Sequence, residues 1–122
     1  MKAEEIVLPE LAKYYISKRV LNDIKNALLY AHIRFVEDKN QIHFTCSCDI
    51  ETMRGLMLIS KKAEKTTIGN KYVYEYELDM NIQNGCIFII KIDGIEYRCR
   101  LIHVGGGDKE NSLHTIFHIV KK

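Results

Sequence analysis

The sequence predicts an α+β fold, with an N-terminal helix or kinked helix pair packed on a mainly antiparallel sheet of about five strands. Three observations carry that expectation. Apolar residues recur at three- and four-residue spacings as far as Phe35, and they alternate every second residue from Ile42 onward. Asp93-Gly94, lying between two apolar runs, is the signature of a two-residue hairpin.

The helical third comes first. Pro9 suits a first turn because it has no N–H to lose there, and Glu10 complements the helix dipole. Leu11, Tyr14, Leu21, Ile24, Leu28, Ala31 and Phe35 fall on one helical face. Ser17 can cap a new helix, which leaves two helices or one kinked helix open. Glu37-Asp38-Lys39-Asn40 is read as the end of this region.

Residues 41–48 then change period. Ile42, Phe44, Cys46 and Cys48 lie on one side, and His43, Thr45 and Ser47 on the other, as in a strand with one buried face. Residues 49–63 fit a short helix: Asp49 is an N-cap, Glu51 suits the first turn, and Lys61, Lys62 and Lys65 suit the last. Gly55 weakens that helix, and Leu56-Met57-Leu58-Ile59 would also serve as a buried strand. A further strand is expected over 72–80, where Tyr72, Tyr74 and Tyr76 alternate with Val73, Glu75 and Glu77. A loop follows over 81–85.

The Asp93-Gly94 turn sets a register in which Lys91 faces Glu96 and Phe88 faces Cys99. A one-residue slip would bury Lys91 and Arg98. The last strand, His114 to Val120, follows a loop over 105–112 that begins Gly105-Gly106-Gly107.

Composition bounds the function. A chain of 122 residues with 47% hydrophobic content is read as one domain, 1–122, able to build a core without a disulfide or metal. A net charge of +2 is small for a nucleic-acid binder, which is not favoured as a class. The start, Met1-Lys2-Ala3-Glu4-Glu5, lacks the pattern of a signal peptide, and no apolar run approaches the ~18 residues of a membrane span. The expected location is cytoplasmic (a host cytoplasm for a phage-encoded protein), with Cys46, Cys48, Cys86 and Cys99 reduced. The bias toward Ile, Lys and Asn fits a low-GC bacterial or viral source.

Four sets of side chains are candidates for chemistry. A symmetric hairpin over 105–112 would bring Cys99, His103, His114 and His118 to one face, with donor types suited to zinc, although their spacing matches no finger or ribbon. His103 and His114 are the acid–base pair such a face would offer a small hydrolase or nuclease. Arg98, Arg100, Gly105, Gly106, Gly107 and Lys109 form a candidate anion site, with glycines exposing backbone N–H groups; no Lys-Ser/Thr follows, so it is not a P-loop. Ile87, Ile89, Ile102 and Phe117 form a candidate interface beside Arg98 and Arg100, covered by a second copy or by residues 49–63.

No nucleophile–base–orienter set emerges. The favoured expectation is therefore a non-catalytic binding or regulatory protein, inhibitor-like, acting by macromolecular contact and needing no cofactor. A homodimer is expected, with a protein partner or small anionic ligand and no membrane association. The alternatives are a nucleotide or small-ligand binder, and the hydrolase or nuclease.

Overall fold

The computed structural model describes residues 1–8, 12–13, 16–67, 87–106 and 112–120. In chain order these form β1 (Glu5–Val7), α1 (Lys18–Leu29), β2 (His32–Val36), β3 (Gln41–Ser47), α2 (Ile50–Thr67), β4 (Ile87–Ile92), β5 (Ile95–Gly106) and β6 (Ser112–Ile119). The sheet is antiparallel and runs β1-β4-β5-β6-β3-β2, six strands where about five were expected. The strand anticipated over 72–80 and the loop over 81–85 lie outside the described residues, as does the start anticipated at Pro9.

Ser17 does begin a helix: its Oγ accepts from the Val20 N–H at 3.3 Å. That helix is shorter than its spacing predicts. It ends at Leu29, and Ala31 and Phe35, expected on its face, instead lead into and lie within β2. Positions 31 and 35 continue a helical period equally well, but Ile33 and Phe35 alternate with Arg34 and Val36 through a β-branched and aromatic run that suits a pleated strand. Glu37–Lys39 form a tight turn closed by Asn40 in the left-handed region (φ 55°), and the turn feeds β3.

Residues 50–67 are helical. Asp49 caps α2 by accepting from the Thr52 N–H at 2.7 Å, which holds its carboxyl below the usual carboxylate range. The glycine that argued against a helix has a packing role. A Cβ on Gly55 would lie 2.8 Å from Val20 Cγ1 and 3.2 Å from Ile24 Cδ1, so its absence lets α2 approach α1 closely. Arg19 spans the same helix pair, 2.6 Å from Glu51 and 3.4 Å from Asp23.

Both helices share one core with one face of the sheet. Val20, Ile24 and Leu28 of α1 and Leu56 and Ile59 of α2 are buried with Ile6, Ile33, Ile42, Phe88, Ile90, Cys99 and Leu113. At its centre Phe117 lies 5.2 Å from Phe44 and 4.9 Å from Phe88, ring to ring, in tilted and edge-on arrangements that aromatic quadrupoles favour. Phe117 is thus a core residue with 0% exposure, not an interface residue. Of residues 49–63, offered above as a cover for the opposite sheet face, Met53, Leu56 and Ile59 pack on this side instead.

The hairpin forms as its turn chemistry dictates. Asp93 and Gly94 both take positive φ, 52° and 77°, and Lys91 pairs with Glu96 and Phe88 with Cys99. At the N-terminus the Met1 carbonyl accepts from the Ile33 N–H at 3.1 Å, and the Glu4 N–H donates to the Lys91 carbonyl at 2.7 Å. Residues 1–4 therefore join β2 to β4 and β1, tying together strands from opposite sides of the sheet.

Candidate binding face of the sheet

The helices occupy one face, so alternation along each strand sends every second residue to the other. The register assigns what arrives there. One row across the strands carries Arg100, His118, Gln41 and Val36; the next carries His103, Ile116, His43 and Arg34; a third carries Gly105, His114, Thr45 and His32. Toward the Asp93-Gly94 turn come Val7, Ile89 and Arg98, then Glu5, Lys91 and Glu96. All five histidines of the chain lie here, with three of its arginines, Arg34, Arg98 and Arg100. Among the described strand residues the only carboxylates are Glu5 and Glu96, at one corner either side of Lys91.

This clustering rests on a β5–β6 register different from the symmetric one. Cys99 pairs with Ile119, Leu101 with Phe117 and Arg100 with His118; an irregularity between Leu101 and His103 then sets His103 opposite Ile116 and Gly105 opposite His114. Symmetric closure would have placed three imidazoles with Cys99 in the core. The shifted register puts Leu113 and Phe117 there instead, and the extra residue on β5 turns His103 outward. The set Cys99, His103, His114 and His118 is consequently split between faces: Cys99 is buried in the core, while the histidines lie on the opposite side. Among the described residues no three His, Cys, Asp or Glu side chains are placed to hold a metal.

The glycine run is also corrected. Gly105 and Gly106 belong to β5 rather than to a loop, whereas Gly107 and Lys109 lie outside the described residues. Gly105 has a local purpose. A Cβ there would stand 2.9 Å from His103 Nε2, so the missing side chain leaves room for the His103 ring to fold over the strand. Of the candidate anion and interface residues, Arg98, Arg100, Ile89 and Ile102 come together on the outer face, with Ile102 41% exposed; Ile87 pairs with Arg100.

Arg34, His43 and His114 are linked by side-chain contacts on this surface. The Arg34 guanidinium lies 3.1 Å from His43 Nδ1, and Gln41 Oε1 lies 3.1 Å from His43 Nε2. A guanidinium only donates, so Nδ1 accepts and Nε2 carries the proton, which defines a neutral imidazole. Partial burial, then Arg34, then His114 and Lys39 push His43 below the ordinary imidazole range. The His43 and His114 rings meet edge to face at 5.5 Å, and Thr45 Oγ1 lies 3.3 Å from His114 Nδ1. Neither Arg34 nor His43 is among the residues the sequence singles out as candidates, though the period-two pattern of 41–48 already sends His43 to the face away from Phe44.

Thr45 and His114 are a hydroxyl–imidazole pair, but among the described residues no carboxylate orients the ring, and His43 is its other described neighbour. The described thiols are not thiolates either: burial raises Cys46 to about 11 and Cys99 to about 12. Open grooves lie elsewhere among the described residues. One of about 680 Å³ sits between β1 and α1, lined by Val7, Leu21, Lys18 and Lys25; another of about 470 Å³ lies beside Cys46, Cys48 and Asp49. No described helix is long and apolar enough to cross a membrane.

Two helices on one face of a curled, six-stranded antiparallel sheet define an α+β protein, with arginines and histidines on the other face among the described residues. Compared with protein families, curated proteins and solved structures, the chain matches none of them.

Proposed function

We propose that this chain is a non-catalytic binding protein that acts by contact with an anionic macromolecule through the open face of its sheet. One observation carries the reading: five histidines and three arginines share a face on which the carboxylates of the described strand residues are confined to one corner. Charge of one sign gathered on a broad, shallow surface steers and holds an extended partner of the opposite sign. Ile89, Ile102 and Ile116 among the cations add the apolar contact that such interfaces need. A second copy is a poorer occupant than a polyanion, because a two-fold contact would set Arg34, Arg98 and Arg100 against a surface of their own sign. A regulatory or inhibitory role in a reducing cytoplasm fits this mode of action, as do three free thiols among the described residues.

The test uses the intact chain and an Arg34→Glu/Arg100→Glu variant, immobilised in parallel against extract from the native host. Both arginines are exposed, so the variant is expected to fold. The expected result is a protein or nucleic acid retained by the wild type and lost from the variant. Equal retention by both would overturn the reading.

A further inference from the structure

We propose that the open sheet face binds single-stranded nucleic acid, with the arginines on phosphates and the imidazoles stacked against bases. This rests on the contact reading above and names its partner. The balance of +2 over the whole chain conceals how its charges are distributed. Asp23, Asp49 and Glu51 sit on or beside the helices and Glu37 and Asp38 in the turn after β2, while among the described strand residues the outer rows of β2, β3, β5 and β6 carry Arg34, Arg98 and Arg100 with no carboxylate between them, Glu96 standing at the Lys91 corner.

The kind of cation narrows the ligand. The face offers guanidinium and imidazole groups, with Lys91 confined to the corner beside Glu5 and Glu96. Planar groups of this type stack on nucleobases as well as meeting phosphate, and an acidic protein has no use for the stacking. Arg98 and Arg100 follow one strand, two residues and about 7 Å apart. His118 lies across from Arg100, and Gln41 across from His118, so a cation, a ring and an amide line up in steps of about 4.8 Å. Gln41 and Thr45 supply hydrogen-bonding groups for base edges or sugars.

Geometry then selects the single strand. A six-stranded face is too broad to enter a duplex major groove of about 12 Å, and paired bases present no open ring surface to imidazoles lying on a sheet. His103, His118, Arg34 and Arg100 are exposed, so bases can reach them directly.

Fluorescence anisotropy with labelled oligo-U and oligo-dT of about 20 nucleotides tests the assignment on the whole chain. Arg98→Ala/Arg100→Ala is expected to weaken binding at least about tenfold at low salt. It should also flatten the log–log salt dependence by about 1.4, from two phosphate contacts at about 0.7 each. His118→Ala, at pH 8, should weaken binding about fivefold or more while leaving the salt slope unchanged, as lost stacking does and lost charge does not. Lys18→Ala/Arg54→Ala, on the helices, is expected to change nothing, and thermal denaturation confirms that each variant is folded.

Absence of binding to both oligonucleotides, or equal loss in the helix-side variant, would overturn the proposal. So would polyglutamate competing as well as oligo-U; that result would mark the face as a site for acidic protein and leave the broader contact reading standing. The parallel retention experiment separates the two failures, since a face-dependent partner recovered without oligonucleotide binding overturns only the nucleic-acid assignment.

Discussion

His43 shows how one residue ties surface to stability. It accepts from Arg34 through Nδ1 and donates from Nε2 to Gln41, so its neutral form is the one the fold holds. Protonation would place a hydrogen on Nδ1 and point it at a guanidinium that cannot accept. The folded value lies below the ordinary imidazole value of about 6.5, so the unfolded chain takes up this proton first as pH falls. The stabilisation is complete above about 6.5 and declines as pH falls from there toward the lower folded value. The wild type is therefore expected to lose more thermal stability between pH 8 and pH 5 than His43→Gln, in which this titration is absent. Identical pH slopes in paired melts would show that the Arg34 contact does not act on the ring in solution.

Among the elements, α2 carries the clearest conflict between local preference and packing. Alanine at position 55 would gain about 1 kcal/mol of helix propensity. It would also drive a methyl to 2.8 Å from Val20, a β-branched side chain with little rotamer freedom within a helix. Overpacking of this sort costs about 1–3 kcal/mol. Gly55→Ala is expected to destabilise the protein by about 1–2 kcal/mol net, read from urea unfolding. A gain in stability would mean the helices can move apart at no cost.

The same scale explains which elements were legible. The β4–β5 hairpin could be worked out pair by pair because Asp93-Gly94 specifies turn and register within a few residues. Asp49 announced α2 in the same local way. β2 was hidden because Ala31 and Phe35 satisfy a helical period, and three-residue β1 is too short to show any period at all. The β5–β6 register was out of reach for a different reason. It is decided by which side chains fill the space between Phe44 and Phe88, a contact among three distant parts of the chain. The face inherits this division. Arg98 and Arg100 follow from the hairpin, whereas the company of His43, His114 and Arg34 depends on strand order.

For the whole molecule, the N-terminal segment has a consequence that reaches beyond the site. Met1 holds the backbone of β2 and Glu4 that of β4, with β1 laid along β4 beyond it. Seven residues thus occupy backbone groups on two strands that would otherwise lack partners. A strand with free N–H and C=O groups is a template on which another chain can add. Removing residues 1–7 is expected to leave the helical signal in circular dichroism largely intact while the protein self-associates, seen as rising light scattering with concentration. A truncated chain that stays monodisperse with an unchanged melting temperature would contradict this. On the expected result the strap acts against aggregation as much as for stability, and a design that frees or replaces the N-terminus exposes sticky edges on a molecule whose helices still look native.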